Sequence, residues 1–302
     1  MSLCQFQLII LKKIKMLKHA DSLHKKVFSE KNIKSFEKLI LYFAIAGFLI
    51  HLALVFLNLN YDVNYFVGLD SLLSNPISAL YTPFSFILVY EAFLLIYYFP
   101  RSFTTSVAKE YEIISLVLIR KIFEDIPQLD ISSGIYNQQS LLLLYDLIAI
   151  IIIFYLIFLF RKTIASIPKR KTNENLVRFI SYKKILSIVL VPILLFLCLS
   201  NLFDWTYSIF INNEIVKNIN AVFFIDFFTI LILVDVFILL LSFQYTDRYH
   251  QIIRNTGFII STILLRLSFS VSGLSSVILL VIGVLFGLII LKIYRLSEIN
   301  TD

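Results

Sequence analysis

The chain has 302 residues, of which 59% are hydrophobic and only 16% charged, with a formal net charge of +7. A mean hydropathy of +0.87 excludes an ordinary soluble domain, and continuous apolar runs such as Leu147 to Phe160 exclude a membrane β-barrel, whose strands alternate apolar and polar residues. The basic excess follows one set of loops instead of forming a single patch, so it reads as membrane orientation and not as nucleic-acid binding.

Residues 1–38 come first and hold nine lysines, including Lys12, Lys13 and Lys15. These charges follow the short apolar run Leu8 to Leu11 rather than precede it, which is the wrong order for a secretory signal. The segment reads as a basic cytoplasmic arm lying against anionic lipid headgroups, with Met16 as an alternative start. Cys4 lies in this arm and Cys198 in an apolar run; neither has a metal-ligand spacing, and no cofactor is implied.

Apolar segments then follow at 39–58, 82–99, 139–160, 184–203, 222–244 and 276–294. Each approaches the roughly 20 residues that a hydrocarbon core of about 30 Å requires. Two further segments are less apolar. Residues 105–126 contain Lys109, Glu110, Glu112, Arg120, Lys121, Glu124 and Asp125, and residues 257–272 contain Arg266. Charge bias assigns them. With all eight crossing and the amino terminus inside, 23 of the 27 lysines and arginines fall on the inner side. If 105–126 did not cross, the loop from Arg161 to Lys184, with Lys169, Arg170 and Lys171, would lie opposite the basic amino terminus. The expectation is an all-α polytopic membrane protein of about eight transmembrane helices in the inner (plasma) membrane, both ends cytoplasmic.

The eight segments divide into two parallel sets of four, 39–160 and 184–295, joined by a basic linker at 161–183 and followed by a tail at 296–302. Ile113-Ile114-Ser115 precedes Arg120 with the spacing by which Ile259-Ile260-Ser261 precedes Arg266. Four crossings return the chain to its starting side, so the sets would be related by an axis along the membrane normal.

Each set carries one acid and one arginine deep in apolar surroundings: Glu91 with Arg120, and Asp235 with Arg266. A charge costs several kcal/mol at that depth unless it is paired or faces a wet cavity. At 1.5 Å per residue, counted from Pro100, Lys109, Tyr245 and Gly257, Glu91, Arg120, Asp235 and Arg266 lie roughly 13–16 Å up, and His51 about 18 Å up from the start of its own segment, near enough to join them. Asp146 lies about 10 Å in from its outer end; its counterpart, Leu280, is apolar, so any such site is asymmetric. Two chemistries follow. The acids exchange protons as their arginine partners move, which suits passive or proton-coupled small-ion movement. Alternatively the pairs fix helix packing, and the protein is a membrane scaffold or assembly subunit. Gly283 and Gly287 form a GxxxG on the last segment and read as a packing or dimer face, so a second copy or another membrane protein is an expected partner. No nucleotide-binding, hydrolase or metalloprotease motif is present, and Asp226 and Asp235 fall on opposite sides of a helix, so an enzyme is not expected.

Overall fold

A computed structural model describes residues 19–61, 73, 75–126, 138–167, 174–207, 219–246, 248–271 and 273–299. Within them the chain is helical with no strand. A short helix α1 (19–27) leads into α2 (Glu30–Tyr61), and a 3-10 turn (Pro76–Leu80) opens α3 (Tyr81–Tyr98). There follow α4 (Phe103–Asp125), α5 (Gln138–Ala165), α6 (Glu174–Tyr207), α7 (Ile219–Tyr245), α8 (Tyr249–Ser268) and α9 (Leu274–Ile299). The side chains of Glu124 and Asp125, like the basic residues Lys12, Lys13, Lys15, Lys169, Arg170 and Lys171, lie outside what is described.

Local chemistry sets the breaks. Pro100 closes α3, and Ser102 Oγ accepts the Thr105 N–H at 3.3 Å to start α4. Gly273, at φ +70°, takes the left-handed turn before α9. These short connections make α3/α4 and α7/α8 antiparallel hairpins. α6 runs on as helix through Pro192.

Six helices (α2, α3, α5, α6, α7 and α9) are long and apolar enough to cross a membrane. Their outward faces expose Tyr42, Ile50, Ile151, Phe158, Phe196, Leu233 and Ile293 among many others. A contiguous apolar surface of this extent suits lipid and not water. The protein has the character of a multi-pass, all-helical membrane protein.

Of the other helices, α4 and α8 are the long, less apolar ones, and they are largely buried. α4 packs on α3, α5 and α8, and α8 packs on α4, α7 and α9. α8 begins at Tyr249, well before the expected start at 257, because the polar residues of its first turns are partnered: the Arg254 guanidinium donates to Asn255 Oδ1 at 2.9 Å and lies over the Tyr294 ring.

The helices form two rows, α2–α3–α4–α5 and α6–α7–α8–α9, laid side by side in the same order, with α3 against α6 and α7, α4 against α8, and α5 against α9. A twofold axis along the membrane normal would run the second row in the reverse order, so a twofold is not the relation that packs the rows. One core cluster lies among α4, α5, α8 and α9 around Tyr111, Phe160, Phe258 and Leu291; the other lies among α3, α6 and α7 around Leu88, Ile96, Leu190 and Phe227.

The GxxxG face of α9 is turned inward. Tyr111 Oη and Ser261 Oγ are 2.5 Å apart, and Ser261 Oγ donates to the Gly283 carbonyl at 2.6 Å. A Cβ on Gly287 would occupy the space of the Tyr111 hydroxyl. The pair serves packing between α4, α8 and α9 in one chain. Gly287→Ala should cost roughly 1–3 kcal/mol by overpacking, read as thermal unfolding in detergent. Tyr111→Phe in the same chain should recover part of that loss, because the hydroxyl is the nearest colliding atom.

Candidate functional site

Arg120 is the eighteenth residue of α4 and Arg266 the eighteenth of α8. At 1.5 Å per residue each Cα lies about 26 Å from its helix start, whereas Glu91 and Asp235 lie about 10 and 15 Å from the ends of α3 and α7. The backbones are thus not at matching heights, contrary to the expectation from apolar segment ends, because α4 and α8 begin earlier than their apolar runs do. Side-chain direction closes the gap. Cα–Cβ bonds tilt toward a helix's own amino terminus, so across an antiparallel hairpin the acid leans away from the turn and the arginine leans toward it.

Both expected pairs form. Arg120 Nε lies 3.4 Å from Glu91 Oε2, with both side chains buried. Arg266 Nη1 lies 2.5 Å from Asp235 Oδ2, again buried. Thr262, one turn before Arg266, places Oγ1 3.1 Å from the same Asp235 oxygen.

The second pair is larger than its sequence signature. Arg266 Nη2 also meets Glu110 Oε1 at 2.6 Å, so one guanidinium on α8 holds carboxylates from α7 and α4. A fourth charge arrives from α6. Lys183, only 2% exposed, donates from Nζ to the Arg101 carbonyl at 2.9 Å and lies over the Phe99 and Phe103 rings at 5.1 and 4.9 Å. Arg266, its two acids and Lys183, carried on four helices, are all buried.

No family model, characterised protein or solved structure matches the chain. The site is therefore read from its own geometry.

His51 and Asp146 stand apart from it. His51 Nδ1 lies 2.7 Å from Thr82 Oγ1 at the start of α3, nine residues before Glu91 and so about 14 Å along the helix. Asp146 faces Lys121 Nζ at 3.7 Å, and that lysine is 34% exposed. Glu110 and Lys183 were not among the expected site residues, yet each carries a signal. Glu110 falls on the buried stripe Val107, Tyr111, Ile114 and Leu118, while Lys109 and Glu112 point elsewhere and pair with each other at 2.7 Å. Lys183 falls on the buried stripe Phe179, Ser187, Leu190 and Leu194.

Removing Arg266 strands two buried carboxylates. Arg266→Met should destabilise the protein by about 3–5 kcal/mol, and adding Glu110→Gln with Asp235→Asn should return part of it. Lys121→Met strands one buried carboxylate, Asp146, and removes a lysine that is itself partly exposed, so it should cost less than Arg266→Met on the same chemical-denaturation assay.

Proposed function

We propose that this protein moves a small ion, most simply a proton, through a polar path on the inner helices α4 and α8, with Asp235 and Glu110 as the exchangeable carboxylates. The observation that carries the reading is the Arg266 guanidinium held between two acids from different helices. Only one of them need stay ionised to balance Arg266; the other can take up a proton or a cation without leaving the arginine bare. Lys183 is a further buried positive charge, on the neighbouring helix α6.

The reading includes eight crossings. α4 has 23 residues and α8 has 20, lengths of roughly 35 and 30 Å, sufficient for a hydrocarbon core. Glu110, Arg120 and Arg266 are buried among the helices, which is what lets them lie at that depth. The shared position of Arg120 and Arg266 in α4 and α8 supports a duplicated origin of the two rows. We assign both ends to the basic, cytoplasmic side of an inner (plasma) membrane, with anionic lipids there and no enzymatic activity.

A second reading is favoured by the Glu91–Arg120 pair, in which both side chains are buried. A buried ion pair needs no traffic to explain it, and it suits a scaffold or assembly subunit whose salt bridges fix helix order.

Proton and alkali-cation flux in proteoliposomes separates the two. Wild type should conduct, Glu110→Gln and Asp235→Asn should each lower flux at least tenfold with normal folded yield, and Glu91→Gln should lower yield more than flux per folded molecule. A silent wild type, or unchanged flux in both carboxamide variants, would sink the transport reading and leave the scaffold.

A further inference from the structure

The first described helix is attached to the rest of the molecule in a way that the ion path does not require. α1 breaks from α2 at Phe28–Ser29. The Phe28 N–H closes α1 on the His24 carbonyl at 2.9 Å, and α2 starts where the Asn32 and Ile33 N–H groups donate to Ser29 Oγ at 3.3 Å and the Ser29 carbonyl at 3.0 Å. Across the joint the Asn32 side-chain amide donates to the Lys26 carbonyl at 2.7 Å. A break in the helix ladder spanned by a side chain is a natural hinge.

Beyond the hinge, α1 is fastened at two points. Phe28 is buried, with ring centroids 5.8 Å from Phe93 and 6.0 Å from Tyr97 on α3. Asp21 Oδ1 accepts from Lys184 Nζ on α6 at 2.8 Å. Lys184 directly follows Lys183, whose ammonium enters the buried charge cluster beside the α3–α4 turn. α1 therefore spans α3 and α6 at the end of the bundle where that lysine enters.

Between the two fastenings lies His24. Its ring is 4.7 Å from Phe28, and its Nε2 is shielded from solvent with no hydrogen-bond partner. The charges around it are Lys184 from α6, Arg101 from the α3–α4 turn and Asp21 from its own helix; Arg101 in turn meets the Tyr97 hydroxyl of α3 at 3.4 Å. A proton on Nε2 would be enclosed without an acceptor and would add a third cation beside two.

We propose that α1 is a proton-released strap: docked across α3 and α6 while His24 is neutral, and swinging off at the Phe28–Ser29 hinge when His24 is protonated. Burial and then Lys184 push the docked His24 below its usual value of 6.5, with Asp21 opposing and Arg101 adding to the push. The sign follows from linkage. The undocked imidazole binds the proton more readily, so docking is at full strength above about pH 6.5 and weakens as pH falls toward the depressed docked value. Neither step depends on the ion-path reading, since the strap is held by residues outside the carboxylate cluster.

Hydrogen exchange of the full chain in detergent, compared as protection factors at pH 7.5 and 5.5, tests the strap. Over 19–28 the wild type should lose roughly threefold to tenfold protection at the lower pH, while α3 and α6 keep theirs. His24→Phe, which retains an aromatic ring against Phe28, should hold its protection at both pH values, and Asp21→Asn should be weakly protected at both. A wild type whose 19–28 protection ignores pH, or a His24→Phe variant that falls as far as wild type does, would overturn the proposal.

Discussion

The structure is organised by the cost of enclosing Arg266. A guanidinium cannot discharge itself by losing a proton, so once it is placed inside an apolar bundle it must be met by acids. Asp235 and Glu110 meet it from two other helices, and three elements are thereby fixed relative to one another. The two less apolar helices consequently occupy the inside, and apolar ones such as α2 and α6 turn outward. Hydrophobic matching alone would not choose this order, because in lipid an outward Leu gains as much as an inward one. The charges choose it.

Small residues complete what the charges begin. α4, α8 and α9 converge on Tyr111, Ser261 and Gly287, where a hydroxyl fills the space that a side chain on the glycine would take. On α8, Ser261 faces this packing contact and Arg266 reaches the ionic one, so packing and charge pairing are carried by one helix. A shift in α8 would therefore alter both.

Much of this was legible in the sequence. The six apolar helices follow from run length, and the pairing of Glu91 with Arg120 and of Asp235 with Arg266 follows from the rule that buried charges seek partners. Depth was read less well, because it was counted from the ends of apolar runs, whereas α4 and α8 extend through polar residues that find partners in three dimensions, as Arg254 does over Tyr294. Glu110 and Lys183 were hidden for a related reason: both lie among other charges near the ends of their helices, and only the register of their neighbours reveals that they face inward. His51 was misplaced by the same depth count. Thr82, its partner, lies at the opposite end of α3 from the turn and far from Glu91.

The two rows place their arginines at the same helix position. Arg120 meets Glu91, and Arg266 meets both Asp235 and Glu110. Breaking a buried ion pair leaves an uncompensated charge, so each of these contacts resists opening. Where one guanidinium holds two carboxylates, losing one contact still leaves the arginine an opposite charge. Glu110 is carried on α4 and Arg266 on α8, so this contact ties the first row to the second, and a shift of either helix would be felt by the other.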